Sequence, residues 1–355
     1  MILSCLSLLV LLVSILQPVA AWFRLPCTTP VTEGRTDWIS DPGRLPSQHV
    51  HTVQGGINFL PNTTYDILRQ STCTSCVAKE DLSNYWYPKL YFRDPKTGKL
   101  EQVPDGGLTV YYLFRGVDDK KNGGSGLKAF PNGLKMLTGD PLRRNREWER
   151  GNRSTQAALS EDAVEWLCRG TDIRSLNTAG GFPTIKCPQG LRAGLHFQSC
   201  WDGMNLDSPD HKSHVAYLSD LDNGKCPKTH PIPMPHLFFE TFWATDKFDD
   251  RWEEKDGWPF VWSTGDTTGY GFHGDFGSGW DQELLQHVID DCDSTPDQLN
   301  GVINACPLLT IQEIPEAQKC KTPILYSEDM VGPLGNLPGD NPIWPFTPQT
   351  PDHQL

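Results

Sequence analysis

Residues 108–114 have the sequence LTVYYLF, and this short run decides the fold class. The run is rich in Val, Tyr and Phe, which fit a pleated and largely buried surface. It is too apolar for a half-exposed edge, so it predicts a central strand of a sheet. Six further runs of similar composition, each bounded by Gly, Pro, Asp or Asn, predict strands at residues 49–59, 89–93, 191–201, 213–217, 237–243 and 260–263.

Helical patterns are fewer than strand patterns. Apolar residues at helical spacing predict helices at residues 154–168 and 279–292, and a short helix is expected near residues 64–69. The chain contains 32 Gly and 29 Pro without a repeat, which favours turns and short strands. We therefore expect one mainly β domain over residues 22–310, a β-sandwich or jelly-roll-like unit with a few peripheral helices.

Two segments of biased composition lie around this predicted domain core. Residues 116–126, GVDDKKNGGSG, form a charged and Gly-rich stretch that predicts a surface loop. Residues 311–355 are rich in Pro and show little periodicity, so they predict a C-terminal tail that is extended or disordered.

The beginning of the chain has the pattern of a secretory signal peptide. Residues 1–19 carry no charged side chain, and Val19 and Ala21 are small residues at the positions that a signal peptidase requires. The alternative is a membrane anchor, but the apolar run ends near Leu16, short of the roughly 20 residues that a spanning helix needs. We interpret residues 1–21 as a signal peptide and expect a secreted protein, extracellular or in a cell wall.

The cysteines fit an oxidising compartment. Cys5 lies in the predicted signal peptide, and ten cysteines remain, which predicts up to five disulfides of undetermined pairing. Residues 73–76, Cys-Thr-Ser-Cys, could form a redox motif or half a zinc site. Because no second such motif accompanies them, two structural disulfide ends are the preferred interpretation. Asn62 and Asn152 begin N-glycosylation acceptor sequences.

The charge of the chain restricts its partners. The formal net charge is −13 at pH 7, which argues against binding to nucleic acids or to anionic membrane surfaces. We expect a monomer whose partner is a cell-wall polysaccharide.

Three stretches contain residues that could carry chemistry. In His49-Val-His51 the two histidines are two positions apart, so in a strand they share one face and could present two imidazoles to a metal or a substrate. The alternative is a pair of partly exposed histidines on an edge strand. The second stretch, DHKSHVAY at residues 210–217, and the third, GYGFHGDF at residues 269–276, combine histidines with carboxylates.

Each of the two later stretches also has a structural alternative. Asp210, His211, Lys212 and His214 could supply an acid, a base and a cation, or they could form a solvated turn. In the third stretch the glycines could let His273 and Asp275 stand out from a loop. The candidate metal ligands are therefore His49, His51, His211, His214 and His273, and the candidate catalytic residues are His51, Asp210, His211, Lys212, His214, His273 and Asp275.

Several long motifs resemble a known family. The chain contains "SQHVHTVQGG" at residues 47–56, "YWYPKLYF" at 85–92, "QSCWDGMNLDSPDHKSHVAY" at 198–217 and "GDTTGYGFHGDF" at 265–276. These resemble the DUF1996 family of fungal secreted proteins, across nearly the whole mature chain. The resemblance implies a secreted protein and names no reaction. In the family pattern a histidine is expected where this chain has Gln54 and a proline where it has Gln198, so a three-histidine site built only on the 49–54 strand is in doubt.

Three functions remain open at this stage. The first is a secreted enzyme that cleaves a polysaccharide, either by hydrolysis or by β-elimination. Hydrolysis would use a pair among Asp207, Asp210, Asp266 and Asp275. The second is a non-catalytic cell-wall protein that binds carbohydrate or a divalent metal such as Zn or Cu. The third is a purely structural, disulfide-stabilised protein. Neither a Gly-x-Ser-x-Gly nor a His-Glu-x-x-His motif is present, which disfavours serine hydrolases and zincins.

Overall fold

A computed structural model of the protein describes residues 21–171, 181–292 and 301–344. Residues 1–20 of the predicted signal peptide lie outside the described residues. The fold is mainly β, as predicted, with several sheets and few helices.

The predicted central strand lies in the middle of a six-stranded sheet. Strand β7 (Asp105–Phe114) pairs antiparallel with β1 (Ala21–Cys27) on one side and with β14 (His236–Trp243) on the other, so the apolar run at residues 108–114 is covered on both edges. In spatial order the sheet contains β17 (Gly301–Val302), β1 (Ala21–Cys27), β7 (Asp105–Phe114), β14 (His236–Trp243), β10 (Leu191–His196) and β9 (Val164–Cys168).

A second, five-stranded sheet packs against the first. In spatial order it contains β2 (Thr32–Gly34), β3 (His51–Gly55), β4 (Asn84–Pro88), β16 (His273–Gly277) and β8 (Lys135–Gly139). Two small three-stranded sheets complete the β structure. One consists of β12 (Val215–Ala216), β11 (Cys200–Trp201) and β13 (Ile232–Pro233), and the other of β15 (Phe260–Trp262), β5 (Leu90–Arg93) and β6 (Leu100–Gln102).

The interior of the sandwich is formed by aromatic side chains from both large sheets. The ring of Tyr85 on β4 lies 5.8 Å from that of Phe239 on β14, and the hydroxyls of Tyr85 and Tyr112 are 2.6 Å apart. The indole nitrogen of Trp280 donates a hydrogen bond to Tyr112. These three buried polar groups are therefore paired with one another inside the apolar core.

The outer face of the five-stranded sheet is also buried. Trp86 on β4 points away from the sandwich interior and packs with Val53 of β3 and with Trp38 and Phe59 from the covering segments. The rings of Trp38 and Trp86 are 5.4 Å apart. Side chains on this face are therefore shielded from solvent although they lie outside the main core.

The described residues contain four α-helices, all at the periphery: α1 (Tyr65–Arg69), α2 (Gln156–Asp162), α3 (Gln282–Asp291) and α4 (Ile314–Ala317). The predicted helix over residues 154–168 is correct only for its first half. From Val164 to Cys168 buried and half-buried residues alternate, which is the period of a strand, and these residues form the edge strand β9.

Five disulfides link all ten cysteines of the predicted mature chain. The pairs are Cys27–Cys76, Cys73–Cys320, Cys168–Cys187, Cys200–Cys226 and Cys292–Cys306. Cys73 and Cys76 join different partners, so the Cys-Thr-Ser-Cys motif consists of two structural disulfide ends, as predicted. None of the helices in the described part of the chain combines the length and apolarity that a membrane crossing requires.

Residues 321–344 run over the surface of the domain without long regular elements. Arg35 forms an ion pair with Glu328 at 2.8 Å, and the Asn341 side chain donates to the carbonyl oxygens of Gln48 and Ser263. This segment of the predicted tail is therefore packed against the strands that carry the site described next.

Candidate metal centre

Three histidines from distant parts of the sequence converge on the outer face of the five-stranded sheet. The Nε2 atoms of His49 and His273 are 3.0 Å apart, and one ring nitrogen of each of His49, His51 and His273 lies within 4.8 Å of the others. His51 and His273 are buried, and His49 is half-buried. Two of the three sequence stretches that were singled out therefore meet.

The strand register explains this convergence. Trp86 of β4 lies opposite Val53 of β3 on one side and opposite Asp275 of β16 on the other, so these three side chains form a row across the sheet. His51 lies two residues before Val53, and His273 lies two residues before Asp275. In a strand, side chains two residues apart are on the same face, so both histidines share the face of this row. The sheet thus places two imidazoles and one carboxylate on the same buried surface.

β8 approaches this surface closely. Gly139 is paired with His273, and a Cβ atom at Gly139 would lie 2.3 Å from the carbonyl oxygen of Phe272. The φ angle of Gly139 is 81°, which also favours glycine. The carbonyl oxygen of Gly139 accepts a hydrogen bond of 2.6 Å from Nζ of Lys212. Lys212 is therefore held beside the histidines.

Two buried carboxylates complete the cluster. Ligand atoms of Asp37, His51 and Asp275 lie within 4.8 Å of one another. One oxygen of Asp37 accepts hydrogen bonds from the backbone N–H groups of Ile39 and Ser40, both at 2.9 Å. Among the described residues, neither oxygen of Asp275 and neither ring nitrogen of His51 has a hydrogen-bond partner. Unpartnered indole and hydroxyl groups also occur elsewhere in the described residues, but an unpartnered buried carboxylate is much more costly and favours a further partner at this position.

The electrostatics of the site favour neutral imidazoles. Burial lowers the pKa of His51 and that of His273 to about 3. Burial, together with repulsion from the other two rings, lowers the pKa of His49 well below its usual value. Burial and the charge of Asp37 raise the pKa of Asp275 well above its usual value, while Lys212 acts in the opposite direction. Near neutral pH the three rings therefore offer lone pairs, as metal coordination requires.

A hydrogen bond fixes the orientation of one of these rings. Nδ1 of His273 lies 2.9 Å from the carbonyl oxygen of Gly271, which can only accept. Nδ1 therefore carries the proton, and the lone pair of Nε2 points toward His49 and the centre of the cluster. Metal-binding histidines are oriented in the same way.

The stretch DHKSHVAY contributes only Lys212 to this cluster. Nδ1 of His211 contacts Asp207 at 2.7 Å, and His214 bonds to Ser208 and to the carbonyl oxygen of Lys135. Asp210 accepts hydrogen bonds from Ser208 and Ser213 and from backbone N–H groups of the same turn. The structure therefore does not bring the predicted ligands His211 and His214, or the predicted acid Asp210, to the metal cluster, because the partners of these side chains are local.

Position 54 does not affect the cluster. Gln54 lies on the opposite face of β3 from His51, where its side-chain amide contacts the hydroxyl of Ser75 at 3.2 Å. A histidine at this position would face away from the site. The third imidazole comes instead from β16.

Asp37 was missed by the sequence analysis. It belongs to no histidine-rich stretch, and the only local signal is that it is followed by a turn whose N–H groups it accepts. A second pair of histidines was also missed. Nδ1 of His196 and Nε2 of His236 are 2.9 Å apart on the other large sheet, and burial lowers the pKa of His236 to about 3.

Comparison with known proteins gives one match. The sequence profile described as "Domain of unknown function (DUF1996)" matches residues 37–280, a range that includes every member of the His/Asp cluster. No curated protein and no solved structure matches the chain. The chain belongs to the DUF1996 family.

Proposed function

We propose that this member of the DUF1996 family is a secreted metalloenzyme that cleaves a polysaccharide, with a divalent metal ion held by His49, His51 and His273. One observation carries the proposal: these three neutral imidazoles share a site in which one ring nitrogen of each lies within 4.8 Å of the others, and His51 is equally close to the unpartnered carboxylate of Asp275. An unpaired carboxylate in such a place is costly, and a bound cation removes that cost.

The donor set favours zinc among the common ions. Three imidazole nitrogens that leave the fourth position for water are a known arrangement of catalytic zinc, and Cu²⁺ would bind the same donors tightly. Two nitrogens on a tetrahedral zinc ion are about 3.3 Å apart. The 3.0 Å separation of the Nε2 atoms of His49 and His273 is close to this value. Asp275 would lose its proton when the ion binds.

The surroundings of the other carboxylates disfavour a metal-free hydrolase. Two-carboxylate hydrolysis needs a pair of acids about 5–9.5 Å apart on either side of the sugar bond. Asp266 is buried and accepts from Thr268 and the N–H of Gly271, while Asp207 and Asp210 are bonded within their own turn. A metal ion at the histidines would supply the activated water or the Lewis acid that these side chains do not.

The protein residues would divide the work around the ion. His49 is the half-buried member and marks the side from which a substrate oxygen could approach. His273 is oriented by Gly271, and Lys212 places a positive charge near the site that could stabilise an anion formed in the reaction.

Secretion is part of the proposal and has separate support. The apolar residues 1–19, the small residues before position 22 and five disulfides are typical of an exported protein. Asn62 is exposed and available for glycosylation.

A second candidate is a metal-binding protein without turnover. It is favoured by the burial of His51, His273 and Asp275, since structural zinc sites are closed and use four protein ligands. The two candidates differ in whether the fourth coordination position of the ion is open to water or is occupied by Asp275.

The test is cleavage of cell-wall polysaccharides by untagged protein that has been stripped with a chelator and reloaded with Zn²⁺ or Cu²⁺. New reducing ends report hydrolysis, and the ultraviolet absorbance of unsaturated sugars reports elimination. The proposal predicts activity only in the reloaded protein and loss of most of it in His49→Asn. Cleavage that survives both chelation and this substitution would contradict it. A loaded protein that cleaves none of the polymers would favour the second candidate.

A further inference from the structure

A groove of about 580 Å³ opens next to the metal cluster. One wall is the segment that leaves β8, residues 140–148, and the other includes Trp344. The volume lies within the range of ordinary ligand sites. Trp344 is 50% exposed, and Trp148 is also partly exposed. Exposed indole rings in a groove are typical of binding sites, because they offer an apolar face to a ligand.

The groove is joined to the candidate metal centre by a chain of short contacts. Asp140 follows Gly139, the residue paired with His273. Arg144 lies 3.7 Å from Asp266, which accepts from the N–H of Gly271. The carbonyl oxygen of Gly271 in turn holds the ring of His273. The groove wall and the imidazole are therefore linked through one ion pair and two hydrogen bonds.

The opposite wall is also tied to the histidines. The N–H of Trp344 donates to the carbonyl oxygen of Gly265, and Thr267 donates to the carbonyl oxygen of Trp344. Three residues earlier, the Asn341 side chain donates to Gln48, the neighbour of His49. The segment 341–344 therefore runs from the half-buried histidine to the groove.

The groove carries no excess of positive charge. Its lining contains two arginines, Arg143 and Arg144, and three carboxylates, Asp140, Glu147 and Glu161. Arg144 also donates to backbone carbonyl oxygens and lies over the ring of Trp344 at 5.9 Å. This lining does not have the excess of positive charge that would attract a uronate chain, a phosphate or a nucleic acid.

We infer that this groove binds a strand of neutral polysaccharide and directs it to the His49 side of the metal cluster. The apolar faces of the sugar rings pack on Trp148 and Trp344, and the sugar hydroxyls hydrogen-bond to the polar groups between them. This inference rests on the proposed function, because it names the substrate class of the same site.

The test is oligosaccharide binding by the metal-free protein, so that it does not depend on the ion. Calorimetric titrations use neutral oligosaccharides of glucan, xylan, mannan and chitin type and, for comparison, oligogalacturonate. The groove variants are Trp344→Ala and Trp148→Ala, and the matched control is Trp22→Ala, a half-buried tryptophan on β1 of the other large sheet.

The inference predicts that at least one neutral oligosaccharide binds, that oligogalacturonate does not, and that each groove substitution weakens binding about tenfold. Trp22→Ala should bind as the wild type does. The inference is overturned by a folded protein that binds no neutral oligosaccharide, by a preference for the acidic one, or by unchanged affinity in both groove variants. Since the metal content is measured separately, such a failure leaves the metal centre standing.

Discussion

The Nε2 atoms of His49 and His273 lie 3.0 Å apart although 224 positions separate the two residues in the chain. Nδ1 of His273 is already used as a donor to Gly271, so the two nitrogens face each other with at most one proton between them. His51 is next to both rings, at centroid distances of 4.2 and 6.1 Å. Three imidazoles that share one buried space are typical of a metal site and unusual for a core that has only to pack.

Asp275→Asn should make the metal-free protein more stable and weaken metal binding. Burial and Asp37 raise the pKa of Asp275, so above its folded pKa the ionised carboxylate destabilises the fold. As the pH rises from the unfolded pKa near 3.8 to the raised folded pKa, this destabilisation grows by about 1.4 kcal/mol per pH unit; above the folded pKa it stays constant, and an amide removes it. Urea unfolding in a chelator at pH about 8 measures the effect. A variant that is less stable than wild type there would show that the carboxylate has a structural partner.

His211→Asn should leave the metal content unchanged. His211 is bonded to Asp207 in the turn and takes no part in the cluster. Its φ angle is 56°, a conformation that asparagine tolerates, so the variant should fold. Elemental analysis of the purified variant gives the metal-to-protein ratio. A ratio well below that of the wild type would show that the 210–217 turn contributes to metal binding.

His236→Gln should flatten the acid side of the stability curve. Burial lowers the pKa of His236 to about 3, whereas in the unfolded chain a histidine titrates near 6.5. Between these values the unfolded state binds a proton that the folded state does not. This residue therefore lowers the free energy of unfolding of the wild type by about 1.4 kcal/mol for each pH unit as the pH falls. Unfolding free energies at several pH values between 7 and 4 would reveal the difference in slope. Parallel curves for the two proteins would contradict the buried, neutral state of His236.

The Cys73–Cys320 disulfide should contribute more to stability than Cys292–Cys306. The first spans 247 residues and the second 14, and the loss of unfolded-chain entropy grows with the span. Loop entropy predicts about 5 kcal/mol for the first pair and about 3 kcal/mol for the second. Denaturant unfolding of the two double Cys→Ser variants compares them. The reverse order would show that native contacts near the bridges outweigh the loop effect.

The strand pattern of the sandwich was largely predictable from local composition. The run at residues 108–114 was correctly assigned to a central strand, because it pairs with a neighbouring strand along both edges. β16 was missed because Gly271, Gly274 and Gly277 gave it the composition of a loop. Gly274 is needed there because a Cβ atom would lie 2.8 Å from Leu195 of the facing sheet, which is a tertiary requirement.

The site was predictable as a set of residue types and not as a geometry. His49, His51, His273, Asp275 and Lys212 were all selected from the sequence, since histidines next to glycines and carboxylates indicate chemistry. Their meeting depends on the order β3–β4–β16 in one sheet, and pairing between strands so far apart in the chain leaves no local signal. The sequence also does not show which partners a side chain finds in the fold. His211 and His214 were therefore predicted as metal ligands, although in the structure they form hydrogen bonds to nearby residues.

The most direct test of the central claim is the metal content of the untagged protein, measured by elemental analysis and by native mass spectrometry. The account predicts about one divalent ion, Zn²⁺ or Cu²⁺, per chain. The ion should be lost in His49→Asn, whose half-buried position favours correct folding, and retained in His211→Asn. A correctly folded wild-type protein that holds no ion after incubation with excess Zn²⁺ and Cu²⁺ would contradict the account.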